Sequence, residues 1–147
     1  MSDAGEYNED GTYKTSCLVE LEVAHTDNRG YIQMLLNIPT HNVSMITSTK
    51  GSVRSNHYHL KDWHYIYVLS GSLDYYYREH GKDLELQKFV AKQGDLIWTP
   101  PMEDHATVFL EDTDILALSY LPRDQEAYES DVRRIVLIDP KTLQSVV

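Results

Sequence analysis

Four histidines, His57, His59, His64 and His105, occur at spacings that let short strands bring them to one point. Side chains alternate along a strand, so His57 and His59 face the same way. Four residues separate His59 from His64, inside a string that opens at Gly51 and closes at Gly71. A second string, Gly94-Asp95-Leu96-Ile97-Trp98-Thr99-Pro100, leads to His105, five residues after the proline. Imidazole suits transition metals, so the expectation is one divalent ion (zinc, iron, nickel or manganese) held by His57, His59, His64 and His105. A single strand histidine is more often a partly buried polar residue than a ligand, and the shared spacing sets these four apart. His25, His41 and His80 lie in polar turns and read as solvated.

Short strands must position these rings. Apolar stretches at 17–23, 31–36, 43–47, 105–110 and 115–120 flank the histidine strings, with turns at Thr26-Asp27-Asn28-Arg29-Gly30 and Asp112-Thr113-Asp114. Residues 125–131 suit one helical turn, and 134–138 a closing strand. Many short strands with little helix indicate an all-β barrel or sandwich. Residues 1–15 hold few apolar anchors and are expected to form a mobile or loosely attached arm ahead of one domain over 16–147. Ser70-Gly71 reads as a two-residue hairpin loop, which would set Val68 opposite Leu73, Ile66 opposite Tyr75 and His64 opposite Tyr77. Tyr75 would then touch substrate, and Tyr77 would be either a catalytic acid–base group or a wall residue. Tyr65, Tyr67 and Tyr76 would fall on the other face, where another sheet or a second subunit must cover them, so a homodimer is expected.

A formal net charge of −10 over 147 residues argues against nucleic acid as partner. An anionic small molecule would need local cations, for which Arg54, Arg133 and Arg134 are the candidates. Cys17 is the single cysteine, so no disulfide forms within the chain. No apolar run has the length of a membrane span and the amino terminus is acidic, so the expectation is a cytoplasmic protein without a membrane partner.

The two histidine strings resemble the paired signatures of the cupins: a glycine, five residues, His-x-His, three or four residues, Glu, six residues, Gly; then Gly, five residues, Pro-x-Gly, two residues, His. The resemblance implies a double-stranded β-helix, the cupin jelly-roll barrel. Two positions depart from it, His64 standing for the glutamate and Met102 for the second glycine. An all-histidine shell leaves the ion's charge uncompensated, which favours polarisation of a carbonyl. The Met102 departure is expected to alter only the loop.

Further residues narrow the resemblance. Asp27-Asn28-Arg29-Gly30, then Arg54-Ser55-Asn56-His57-Tyr58-His59, then Tyr128-Glu129-Ser130-Asp131-Val132-Arg133 are similar in order and spacing to the sugar-nucleotide 3,5-epimerases and 3,4-ketoisomerases. This implies an isomerase or epimerase of a nucleotide-linked 4-keto sugar, with Arg54 on the diphosphate and His57 as the base. Ser55 replaces that family's glycine, and its ketoisomerases use His-x-His without metal. One nitrogen of His57 cannot both ligate a metal and accept a proton, so ligand and base remain alternatives. Strand alternation alone puts Arg54 on the face opposite His57, whereas the resemblance puts it at the pocket edge through a bend near Ser55. An iron-dependent dioxygenase of a small dicarbonyl or aromatic substrate and a non-catalytic small-molecule-binding module are the competing functions.

Overall fold

Turn residues cut this chain into strands. The computed structural model describes residues 5–147. In order come β1 (Cys17–Leu18), β2 (His25–Asp27), β3 (Gly30–Ile32), β4 (Asn42–Ser48), β5 (Val53–His59), β6 (His64–Ser70), β7 (Ser72–Glu79), β8 (Gln87–Lys92), β9 (Leu96–Thr99), β10 (Glu103–Phe109), β11 (Thr113–Ser119), α1 (Gln125–Asp131) and β12 (Val132–Arg134). Two antiparallel sheets, ordered β1-β9-β6-β11-β4 and β12-β5-β10-β7-β8, face each other, and β2 and β3 form a separate hairpin. The all-β jelly roll is as expected. Between the sheets Ile66, Val68, Ile97 and Ile115 of one meet Leu73, Tyr75, Ala91 and Phe109 of the other, all buried. The expected strands at 17–23 and 31–36 are shorter than their apolar stretches, which elsewhere serve as packing segments.

The Ser70-Gly71 hairpin does not form. β6 pairs with β9 and β11, while β7 pairs with β10 and β8, so the chain crosses from one sheet to the other at Gly71. Gly71 has a φ of 90°, and a Cβ there would run into the Thr113 hydroxyl and stand 2.6 Å from the Asp112 carbonyl oxygen. A sheet-crossing corner needs the same small, left-handed residue as a hairpin loop, so local sequence cannot separate the two. His64 therefore lies opposite Thr99 and Ser119, and Tyr77 lies opposite His105.

Residues 5–15, expected to be loosely attached, are held in place; residues 1–4 of that arm lie outside the described residues. Trp98 Nε1 donates to the Lys14 carbonyl at 2.9 Å, and the Tyr65 hydroxyl donates to Glu6 at 2.6 Å. The buried Glu103 carboxylate accepts from the Ser16 amide at 2.9 Å and the Thr15 hydroxyl at 2.7 Å. The outer aromatics are covered by the chain itself. Tyr65 and Tyr67 pack with Trp63 and Trp98 under Val19, Leu21, Leu36 and Ile38, and Tyr76 packs beside Leu137 and Ile138. Burial of these rings thus needs no second subunit.

Candidate functional site

The barrel turns four imidazoles inward through one irregularity in β5. Opposite β10, His57 pairs with His105 and Ser55 pairs with Ala106, leaving Asn56 without a partner there. This is a bulge, which flips the facing of everything beyond it. Ser55 and Asn56 both have positive φ, 69° and 53°. The buried Asn56 side chain fixes the bend: its Oδ1 accepts from the Leu137 and Ile138 amides at 3.0 and 3.1 Å, and its Nδ2 donates to the Ile138 carbonyl at 3.0 Å. Met102, at the glycine position of the second string, also adopts the left-handed region, with φ 58°. The loop thus keeps a glycine-like backbone despite the side chain, and the Met102 amide donates to the His59 carbonyl at 2.8 Å.

His57, His59 and His105 bring ligating atoms within 4.8 Å of one another. His64 stands just outside this group, its ring centroid 5.3 Å from those of His59 and His105. The hydrogen bonds orient the rings. His59 Nδ1 donates to Asp131 Oδ2 at 3.0 Å, and His105 Nδ1 donates to the Glu103 carbonyl at 3.0 Å, so each ring turns its Nε2 inward. Both Nε2 atoms, and His64 Nδ1, are buried without a hydrogen-bond partner among the described residues. Such atoms cost about 1–3 kcal/mol each when nothing is bound to them. Burial, then neighbouring histidines and Arg123, push His57 far below its ordinary pKa; burial and then Arg123 and the histidines do the same to His64. Burial and His59 bring His105 to about 3. These rings stand neutral at pH 7, the form a metal requires.

Asp131 is the carboxylate behind His59. Burial by itself raises its pKa, but bonds from His59 and from the Lys61 and Asp62 amides outweigh this and leave it lowered. His59, Asp62 and Asp131 form a second cluster of metal-ligand type. There the Asp131 oxygens are already taken by those three N–H donors, so Asp131 orients His59.

His57 and His64 open onto a cavity of about 160 Å³ whose rim and walls include Arg54, Thr107, Arg123 and Tyr128. Arg54 is exposed, with its Nε donating to Ser48 Oγ at 2.8 Å and its Nη2 to the Thr47 carbonyl at 3.0 Å. Arg133 and Arg134 lie on β12 opposite Tyr58 and His57 and do not line this cavity. Tyr75 is a core residue, correcting its expected contact with substrate: it is fully buried, its hydroxyl is bonded to Ser16 and Thr99, and its ring stacks on His105. Tyr77 lines a different cavity, of about 850 Å³, with Lys14, Thr15 and Pro100. Of the three histidines read as solvated, His25 is exposed, whereas half-buried His80 donates from Nδ1 to Asp104 Oδ1 at 2.8 Å and stacks on Tyr58. Arg123, Tyr128 and Asp131 are the site residues that sequence reasoning did not single out. The last two sit in the closing motif, which carried the signal; Arg123 lies in an irregular loop with no periodic pattern.

Solved structures share this architecture. The 3,4-ketoisomerase QdtA from Thermoanaerobacterium thermosaccharolyticum, a double mutant in complex with TDP, is 20% identical with a TM-score of 0.67, over 82% of this chain and 87% of that one. The rmlC epimerase of Mycobacterium tuberculosis is 15% identical with a TM-score of 0.70, over 88% and 73%. CapF with the inhibitor 3-isopropenyl-tropolone is 20% identical with a TM-score of 0.58, over 80% of this chain and 35% of that one. The fold is the cupin jelly roll. No protein-family model matches the chain, and no curated sequence does.

Proposed function

We propose that this protein is an isomerase or epimerase of a nucleotide-linked 4-keto sugar and holds one divalent transition metal ion at His57, His59 and His105, with His64 beside them. The observation that carries the reading is a single cavity joining two guanidinium groups to inward, neutral imidazoles, in a barrel that has solved counterparts among 3,4-ketoisomerases and 3,5-epimerases. One ketoisomerase counterpart was solved with TDP-4-keto-6-deoxyglucose. The residues fit a metal: two Nε2 atoms are aimed inward, buried and unpartnered among the described residues, behind Nδ1–H groups that Asp131 and the Glu103 carbonyl fix. When bound, the ion would polarise the substrate ketone.

The chain's own groups divide the remaining work. Arg54 at the rim is placed for the diphosphate, whose paired oxygens match a guanidinium fork. Proton transfer beside the ketone needs a carrier facing the same cavity. Tyr128 and His57 face it, and Tyr75 and Tyr77 do not. With His57 engaged as a ligand, Tyr128 carries the proton. A homodimer stays part of the proposal on new grounds: Tyr31 and Ile32 of the β2–β3 hairpin are 70% and 61% exposed, and a two-stranded ribbon is marginal without support. Sedimentation would measure it. The single cysteine accords with a reducing cytoplasm.

Removal of the proton next to a ketone exposes that position to solvent hydrogen. Incubation of TDP-4-keto-6-deoxyglucose with the protein in heavy water should place deuterium at carbon 3 or carbon 5 without oxygen uptake, and Tyr128→Phe should slow this at least a hundredfold. No exchange in any 4-keto sugar nucleotide, together with oxygen consumption on a dicarbonyl by iron-loaded protein, would replace the isomerase with a dioxygenase.

A further inference from the structure

Among the described residues the Arg123 side chain makes no hydrogen bond, and its carboxylate neighbour Asp62 stands only at the limit of ion-pair distance. Arg123 lies in the loop between β11 and α1 with its side chain 17% exposed, and its Nε is sealed from solvent without a hydrogen bond. The facing carboxylate oxygen, Asp62 Oδ2, is 4.0 Å from that nitrogen, beyond hydrogen-bond reach. The other Asp62 oxygen accepts from the Leu121 amide at 2.8 Å. The guanidinium carbon stands 5.5 Å over the Tyr128 ring, a cation–π contact that orients the planar group without using its donors. A guanidinium carries its charge with five N–H donors, so a buried Nε–H left without an acceptor is costly unless one arrives.

The surroundings say which acceptor. Arg123 shares its cavity with His57, His64 and, at the rim, Arg54. The imidazoles bring no negative charge, and the positive field of Arg123 is among the causes that keep them unprotonated. At about 160 Å³ the cavity is smaller than the roughly 300 Å³ from which ligand pockets usually begin, so a whole nucleotide does not fit and a ring-sized group does. A diphosphate belongs outside with Arg54, leaving the interior guanidinium for an oxygen on the ring.

We propose that Arg123 is an anion-binding residue of the barrel interior: laid against Tyr128 and open to the cavity of His57 and His64, it receives a negatively charged oxygen of the ligand, the enolate oxygen that forms as the proton leaves. The enolate assignment rests on the isomerase reading above; the anion site does not. A donor fixed in advance where charge develops, away from bulk water, acts mainly on the transition state.

Tropolone is a suitable probe, because its conjugate base is a flat ring with charge shared by two adjacent oxygens. It is titrated, by absorbance, into purified metal-loaded wild type, Arg123→Gln and Arg123→Lys, with metal content and TDP binding measured on each. The expected result is at least tenfold weaker tropolone binding in Arg123→Gln and a smaller loss in Arg123→Lys, which keeps the charge but not the fork, with metal content and TDP affinity unchanged. Equal tropolone affinity in wild type and Arg123→Gln, including no binding to either, overturns the proposal. Should Arg123→Gln fail to fold or to hold metal, Arg123→Lys decides: a threefold or larger loss supports the site and an unchanged affinity overturns it. Arg123-dependent tropolone binding by a protein that exchanges no deuterium into 4-keto sugars would retain the anion site and discard the isomerase.

Discussion

Arg54 and His57 line the same cavity although they stand an odd three positions apart on β5. Regular alternation would put them on opposite faces. The unpaired Asn56 makes the effective separation even, and the two left-handed residues Ser55 and Asn56 are its cost. The bend converts an exposed strand arginine into a rim cation over the histidine cluster.

Asn56→Ala should therefore lower stability by about 3 kcal/mol, one for each of three neutral hydrogen bonds, before the strain of alanine at positive φ is added. Urea midpoints measure it. An unchanged midpoint would mean that the bulge is held by the ladder and not by this side chain.

Arg54→Lys should weaken binding of thymidine diphosphate by about 1.5–3 kcal/mol, the range for a hydrogen bond to a charged group, with metal content unaltered. Calorimetry decides it. Wild type that binds neither thymidine nor uridine diphosphate at millimolar concentration would remove the nucleotide from the substrate.

Elemental analysis of protein purified without a histidine tag should find close to one transition metal ion per chain, and His59→Ala or His105→Ala should lose it. Asp131→Asn removes the anion that holds the His59 Nδ1–H and should weaken metal affinity about 10- to 100-fold. Retention of metal by both alanine variants would place the ion elsewhere.

Acid should destabilise the metal-free protein steeply. His57, His64 and His105 have folded pKa values below their ordinary 6.5, so the unfolded chain takes up protons first as pH falls. Their contribution is complete above about pH 6.5 and is lost as pH drops toward the folded values, about 3 for His105. Each group adds up to about 1.4 kcal/mol per pH unit, so three approach about 4 kcal/mol per unit. Urea midpoints of chelator-treated protein from pH 7 to 5 test this; a flat profile would mean that these rings are solvated or protonated in the native state.

Sequence by itself determined the strand-rich class, the inward pairing of His57 with His59, and the return of His105 to the same place, because alternation, turn residues and motif spacing are local properties. It also contained Tyr128 and Asp131 within a quoted motif, without indicating that one carboxylate oxygen would meet His59 across 72 positions of chain. Tertiary structure alone decided the rest. Gly71 serves a hairpin or a sheet crossing equally well, and only the competing partners β9, β10 and β11 settle which, so Tyr77 came to lie opposite His105 while Tyr75 went into the core. The bulge at Asn56 depends on acceptor and donor groups at Leu137 and Ile138, and the seat of Arg123 depends on a helix packing Tyr128 beneath it. Such contacts join segments far apart in the chain, and no periodicity within either segment encodes them.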